Sequence, residues 1–288
     1  MADQEYVPPR VWKWEKQDSN AGSVTAINRP IAGATHDKEL PRGEHPFQLY
    51  SLGSPNGQKV TILFEELLAA GFSGAEYDAW LIHIMEGAQF SSGFVAVNPN
   101  SKIPGMLDCS GPNVEKDGPI RVFESAAILL HLAEKFDAFI PMDARGRAEC
   151  LSWLFWQMSN APSMGGGFGH FYRVAPVRIE YAINRYAMEV KRIFDVIDRR
   201  LAEAPYLAGD AYSIADIAVF AWFRYFHSAD AYGGATEFLD ILSYRNVDRW
   251  IREIDARLPV KRGLKVNLPA EGCAAERHCA ADIDAVMG

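Results

Sequence analysis

Cysteine is scarce in this 288-residue chain and spaced wrongly for dithiol chemistry. Cys109, Cys150, Cys273 and Cys279 are all it has, and no two form a C-x-x-C pair. That excludes a thioredoxin-type dithiol centre and a dense disulfide framework. No apolar run approaches the length of a membrane span. Met1-Ala2-Asp3-Gln4-Glu5 lacks the basic and apolar regions of a secretory leader. The expected setting is the cytoplasm, with no membrane partner. Positive charge is also in deficit: 29 Lys and Arg against 37 Asp and Glu leave a net −8. Nucleic acid is therefore not expected as a partner. The seven histidines are scattered, His170 reads as a packed loop residue, and no metal site is expected. What is present, 49% apolar and 23% charged residues, suits a globular protein with room for two modest domains.

The residues that carry most information run from Tyr50 to Gln58. Phe47-Gln48-Leu49-Tyr50 alternates as a strand does, and Val60, Leu63, Phe64 and Leu67 recur at helical spacing. Between them lies the turn Ser54-Pro55-Asn56-Gly57. Such a strand–turn–helix aims backbone N–H groups and a helix dipole at whatever sits above it, and Ser54 and Asn56 add donors there. The turn is thus a candidate anion site. Further on come Asn98-Pro99-Asn100-Ser101-Lys102-Ile103-Pro104, the extended run Ile120-Arg121-Val122-Phe123, and Glu124-Ser125-Ala126-Ala127-Ile128-Leu129.

Four regions follow. Residues 1–45 form an N-terminal extension without helical or strand period, in which Trp12 and Trp14 predict that part of it packs. Residues 46–137 read as an α/β unit whose last helix carries Ile128, Leu132 and Phe136. Residues 142–262 read as all-helical. Trp153, Leu154, Trp156 and Met158 make an aromatic block there, and the loop Ser163–Gly169 is expected to break that helix. Pro176 suits the first residue of the next helix, whose stripe is Ile179, Ile183, Tyr186, Val190, Ile193 and Ile197. Ser213-Ile214-Ala215-Asp216 reads as a capping box. The tail, 263–288, is polar and expected to be loosely held.

The order and spacing of these motifs resemble the glutathione transferase superfamily, and the S/T-P-N-G turn with a long extension resembles its nu class. The resemblance implies a thioredoxin-like N-terminal domain followed by a helical bundle, a homodimer, and glutathione as cosubstrate. It implies that Ser54 and Asn56 stabilise the glutathione thiolate, with Pro55 between them. Lys102, Ile103 and a cis Pro104 would hold the cysteinyl backbone, Glu124 the ammonium, and Ser125, as helix cap, the γ-glutamyl carboxylate. Asn28, Gln89 and Arg185 match further glutathione contacts, Asn28 and Arg185 suiting a second glutathione in the same site. Met158 departs from the pattern, standing where relatives have glutamine. Trp156, Tyr172 and Tyr232 are candidates for the second-substrate pocket.

The function so implied is a disulfide-bond reductase in which two glutathiones supply both thiols. The alternative is a transferase or lyase acting on aromatic thioether conjugates, which wants a tyrosine donor such as Tyr172 or Tyr232. A non-catalytic glutathione-binding regulator is a third reading. Its mark would be a long Asn/Gln-rich arm, which residues 1–45 are not.

Overall fold

The strand β1 (Phe47–Ser51) is buried along its whole length, Gln48 included. Alternation predicts one covered face; both are covered, because the extension lies over the second. Gln48 donates from Nε2 to the His45 carbonyl at 2.7 Å and to Asp78 Oδ2 at 2.9 Å. Tyr50 is buried and donates to the Pro41 carbonyl at 2.8 Å. A computed structural model describes residues 7–14, 27–229 and 231–287. Within it, residues 35–38 lie along 90–93, through bonds such as Thr35 N–H to the Phe90 carbonyl at 2.9 Å. Trp12 and Trp14, expected to pack, are instead 64% and 39% exposed.

From β1 the chain enters α1 (Pro55–Ala69), then β2 (Tyr77–Leu81), the short α2 (Ser92–Val97), β3 (Gly105–Asp108), α3 (Val114–Asp117), β4 (Ile120–Phe123) and α4 (Ser125–Phe136). Strand order is β2-β1-β3-β4, with β1 and β2 parallel and the other pairs antiparallel. This is the expected thioredoxin-like arrangement.

The second part is helical: α5 (Ala144–Pro162), α6 (Glu180–Glu203), α7 (Ile214–Ser228), α8 (Ala235–Phe238), α9 (Arg245–Asp255), α10 (Leu258–Gly263) and α11 (Ala280–Met287). Two expectations fail here. Residues Ser163–Val174 do not break α5 but continue it as a wide π-type helix. Met164 and Phe168, both buried, and Tyr172 recur every fourth residue and hold the glycine-rich stretch helical against the core. Nor does Pro176 start α6, which begins at Glu180 with Ile179 as its cap. The intervening residues turn so that the Arg178 guanidinium can donate to the Tyr172 carbonyl and close the π segment. The capping box at Ser213 forms as expected, with Ser213 N–H donating to Asp216 Oδ2 at 3.0 Å. Asp216 also accepts from Trp250 Nε1 at 3.1 Å, deep in the bundle, so its role is structural.

α1 joins the two parts. It packs on α7 and α10, and a Cβ on Gly263 would lie 2.6 Å from Ile62 Cα, so glycine permits that approach. The buried Glu66 takes a bidentate pair from Arg257 at 2.6 and 2.7 Å.

The tail corrects a third expectation. It is not loosely held. Arg277 is fully buried, with its guanidinium 4.0 Å from the Tyr77 ring centroid and an ion pair to Glu76 at 2.8 Å. Its backbone pairs with Ala79 in both directions, at 2.7 and 3.1 Å, adding one rung to the outer edge of β2. His278 contacts Asp78 Oδ1 at 2.8 Å, and Asn267 donates to the Ala79 carbonyl at 3.1 Å. A polar composition hides this anchoring because the anchors are themselves charged and polar.

Candidate functional site

Ser54 caps α1 in an extended conformation, φ −94° and ψ 166°, yet its hydroxyl makes no capping bond. The hydroxyl is left for another acceptor. The turn is tight: a Cβ on Gly57 would lie 2.0 Å from the Leu52 carbonyl oxygen. It is also held from outside, since Gly53 N–H donates to the Asn267 carbonyl of the tail at 2.6 Å. Asn56 Oδ1 accepts from Lys59 Nζ and from Trp222 Nε1, both at 2.9 Å. With its oxygen taken twice, the amide presents Nδ2, a donor.

These residues open on a cleft of about 690 Å³, in the size range of small-molecule sites. Ser54, Pro55, Asn56, Gln89, Lys102, Ile103, Pro104, Glu124 and Ser125 line it from the thioredoxin-like side. Met158, Gly165, Gly166, Trp222, Tyr225 and Tyr232 line it from the helical side. The Ile103–Pro104 peptide is cis, as the resemblance implies. Gln89 is buried and its Oε1 has no partner among the described residues, so the cleft offers a ready acceptor for a ligand N–H. Burial pushes the Lys102 ammonium below its usual range. Asn28 does not line the cleft, but its Oδ1 accepts from Lys102 Nζ and so touches the rim.

The helix cap expected at Ser125 falls one residue earlier. Glu124, not Ser125, is the cap of α4, in a left-handed conformation with φ 72° that a non-glycine residue seldom adopts. Ser125 is the first residue of the helix, and its Oγ accepts from Lys59 Nζ at 3.2 Å. Its N–H still belongs to the free first turn, so an anion can still be met there.

Residues 180–253 match the family described as glutathione S-transferase, C-terminal domain. The chain is 55% identical over 287 residues to the disulfide-bond oxidoreductase YghU of Escherichia coli K12, covering 99% of this chain and 97% of that one. The chain belongs to the glutathione S-transferase superfamily, in its YghU-like branch. A crystal structure of the glutathione transferase YghU from Streptococcus pneumoniae, complexed with glutathione, superposes with TM-score 0.86 at 54% identity, over 91% of this chain and 97% of that one. A glutathione transferase family member from Pseudomonas fluorescens, with two glutathiones bound, gives TM-score 0.68 at 36% identity over 76% and 92%.

Three residues singled out from the sequence lie elsewhere in this transferase fold. Arg185 is exposed on α6 and pairs with Glu189 at 2.6 Å, four residues on, rather than reaching the cleft. Trp156 turns edge-on to Trp153, ring centroids 5.5 Å apart, because its helical position faces away from Met158. Tyr172 stacks on Phe168 at 4.8 Å and lines a neighbouring cavity of about 290 Å³ with Arg178 and Phe238. Tyr232 lines both.

The cysteines stay out of the cleft. Cys279 stands just before α11 but lines no part of the site. Among the described residues no group of three or more His, Cys, Asp or Glu could hold a metal.

Sequence reading missed Trp222, Lys59 and Asn267. Trp222 and Asn267 leave no local signal, since each acts across the fold. Lys59 left one: it sits three residues after Asn56, hence on the same side of α1, beside the buried Val60.

Proposed function

We propose that this protein is a glutathione-dependent disulfide-bond reductase that draws both reacting thiols from glutathione. The observation that carries the reading is the make-up of the cleft, with hydroxyl and amide donors at Ser54 and Asn56 and no cysteine among its lining residues. A free thiol with pKa about 8.5 is mostly protonated at neutral pH, and donors beside a helix N-terminus favour the thiolate. Here those donors are Ser54 Oγ, Asn56 Nδ2 and the first N–H groups of α1. Glu124 suits the ammonium of the γ-glutamyl group and the Ser125 N–H its carboxylate. Gln89 and the Ile103 backbone suit the peptide portion.

In the reaction, a glutathione thiolate attacks one sulfur of the substrate disulfide. The S–S bond breaks, a mixed disulfide forms, and the departing thiolate takes a proton. A second glutathione thiolate then attacks the glutathione sulfur of the mixed disulfide and expels the other half of the substrate. Two glutathiones are oxidised to one glutathione disulfide, and the substrate disulfide is reduced to two thiols. Room for two tripeptides in one site is supported by the Pseudomonas fluorescens relative, which holds two.

Tyr225 and Tyr232, both lining the cleft, favour a second reading, a transferase or lyase acting on aromatic thioether conjugates. One assay separates the two. With 2-hydroxyethyl disulfide and glutathione, turnover is expected to be brisk and aryl-halide conjugation poor. Strong conjugation without disulfide reduction overturns the reductase.

A thiol-dependent reductase fits a reducing compartment, and the cytoplasm is the setting we propose. We propose a homodimer as well, on the strength of family membership and of Phe155 and Met188, apolar and exposed on α5 and α6.

A further inference from the structure

Lys59 has no exposed surface, and its Nζ forms no ion pair among the described residues. A buried ammonium without a counter-charge is costly, so something must hold it there. Three neutral acceptors surround it: Asn56 Oδ1 at 2.9 Å, Ser125 Oγ at 3.2 Å and Gln157 Oε1 at 2.6 Å. They match its three N–H bonds, and Met158 Sδ completes the shell at 3.7 Å. Burial pushes the ammonium down to about 7, against the pull of the Glu124 carboxylate. Glu124, from the turn before α4, is the titratable neighbour acting on it. α1 and α5 present Asn56, Gln157 and Met158, none of which titrates. A leucine or methionine would fill this space without burying a charge, though it would leave the Gln157 Oε1 acceptor without this donor.

What distinguishes the place is its two ends. Asn56 serves the sulfur in the reading above, and Ser125 serves the γ-glutamyl carboxylate. A single ammonium touches both. Glutathione lying across this wall would put two negative charges, thiolate and carboxylate, over one buried positive charge.

We propose that Lys59 is a positioning residue that couples the two ends of bound glutathione. Its contact with Asn56 Oδ1 fixes the amide with Nδ2 as the outward donor and polarises that donor towards the sulfur. Its contact with Ser125 Oγ obliges the hydroxyl hydrogen to point elsewhere: to Met158 Sδ, 3.6 Å away, or to a bound carboxylate. The coupling is reciprocal, so a thiolate above the turn strengthens the hold of Lys59 on its own proton. Gln157, one residue before the departing Met158, supplies the third acceptor, so the helix keeps a polar contact after all, directed to the lysine.

The inference rests on glutathione binding, so the test begins there. Wild-type protein is titrated with glutathione without acceptor, following ultraviolet thiolate absorbance against pH, and with S-methylglutathione, which cannot ionise. Failure of both ligands to bind overturns the glutathione reading itself. With binding established, Lys59→Met is expected to move the thiol titration to higher pH and to lower kcat/KM about tenfold on the acid side, with recovery at alkaline pH. S-methylglutathione affinity is expected to fall several-fold through the loosened Ser125. Lys59→Gln keeps a donor without the charge, and is read the same way if Lys59→Met does not fold. A thiol titration identical to wild type, with a lower melting temperature alone, overturns the proposal and makes Lys59 a buttress.

Discussion

The Trp222 indole donates to Asn56 Oδ1 at 2.9 Å, joining the helical bundle to the Ser54–Gly57 turn across 166 positions of sequence. The bond fixes which end of the Asn56 amide faces outward. Trp222→Phe keeps an aromatic ring but removes the donor. A neutral hydrogen bond is worth about 0.5–1.5 kcal/mol, so turnover with a small disulfide is expected to fall roughly 2- to 10-fold. Unchanged kcat in a folded Trp222→Phe would show that Lys59 alone orients the amide.

Asn56→Ala is expected to lose more activity than Ser54→Ala. The amide links Lys59 and Trp222 as well as lining the cleft, whereas the Ser54 hydroxyl makes no capping bond. A donor to a charged acceptor is worth about 1.5–3 kcal/mol, hence about 10- to 100-fold in rate for Asn56→Ala. Wild-type rates in both variants would remove the turn from the reaction.

A chain with all four cysteines changed to Ser is expected to keep most of its reductase activity per folded molecule, since none lines the cleft. Cys150 is fully buried, and placing a hydroxyl there is expected to cost stability. Lost turnover in a folded variant that still binds glutathione would bring a protein thiol into the reaction.

Asp108 carries a pH dependence. Burial pushes its carboxyl up, but His131 at 2.8 Å, Ser110 and Lys135 at 3.0 Å outweigh that and hold it well below the usual carboxylate range. A depressed folded value stabilises the protein above the ordinary carboxylate pKa, and that contribution is lost as pH falls. Asp108→Asn is therefore expected to be less stable than wild type by about 1.5–3 kcal/mol at pH 7, with the gap closing in acid. Denaturant titrations at neutral and acid pH check it, and a gap that does not narrow would refute the assignment.

The thioredoxin-like wall of the cleft was legible because its residues are consecutive. Ser54–Gly57, Asn98–Pro104 and Glu124–Ser125 each lie on one short segment whose local geometry presents them together. Arg185 and Trp156 misled because helix phase decides where such side chains go. Arg185 found a closer partner in Glu189 on its own helix. Trp222 and Asn267 were illegible because their work is done by contact with residues more than a hundred positions away. The tail was misread because burial there is achieved with Arg277 and Asn267, residues that composition assigns to the surface.

Asn267 holds Gly53 through its own carbonyl while its backbone sits in a left-handed conformation, φ 55°. Asn267→Gly and Asn267→Val lose the same side-chain bonds, but a β-branched residue resists that conformation by about 1–2 kcal/mol. Asn267→Val is expected to melt lower and to show the lower kcat/KM of the two. Equal behaviour would mean that the turn keeps its shape without this strut.

The outer edge of β2 is finished by residues that follow it by nearly two hundred positions. Leu81 N–H donates to Glu276 Oε1 at 3.1 Å, the Tyr77 carbonyl accepts from Arg277 at 2.6 Å, and Ala79 pairs with the Arg277 backbone. During synthesis the strand edge must therefore wait, bare, while nearly two hundred further residues leave the ribosome. A bare edge is a template for pairing with another chain. Removal of residues 264–287 would leave the folded protein in that same unfinished state, prone to aggregate through β2 and with the Ser54–Gly57 turn unpropped.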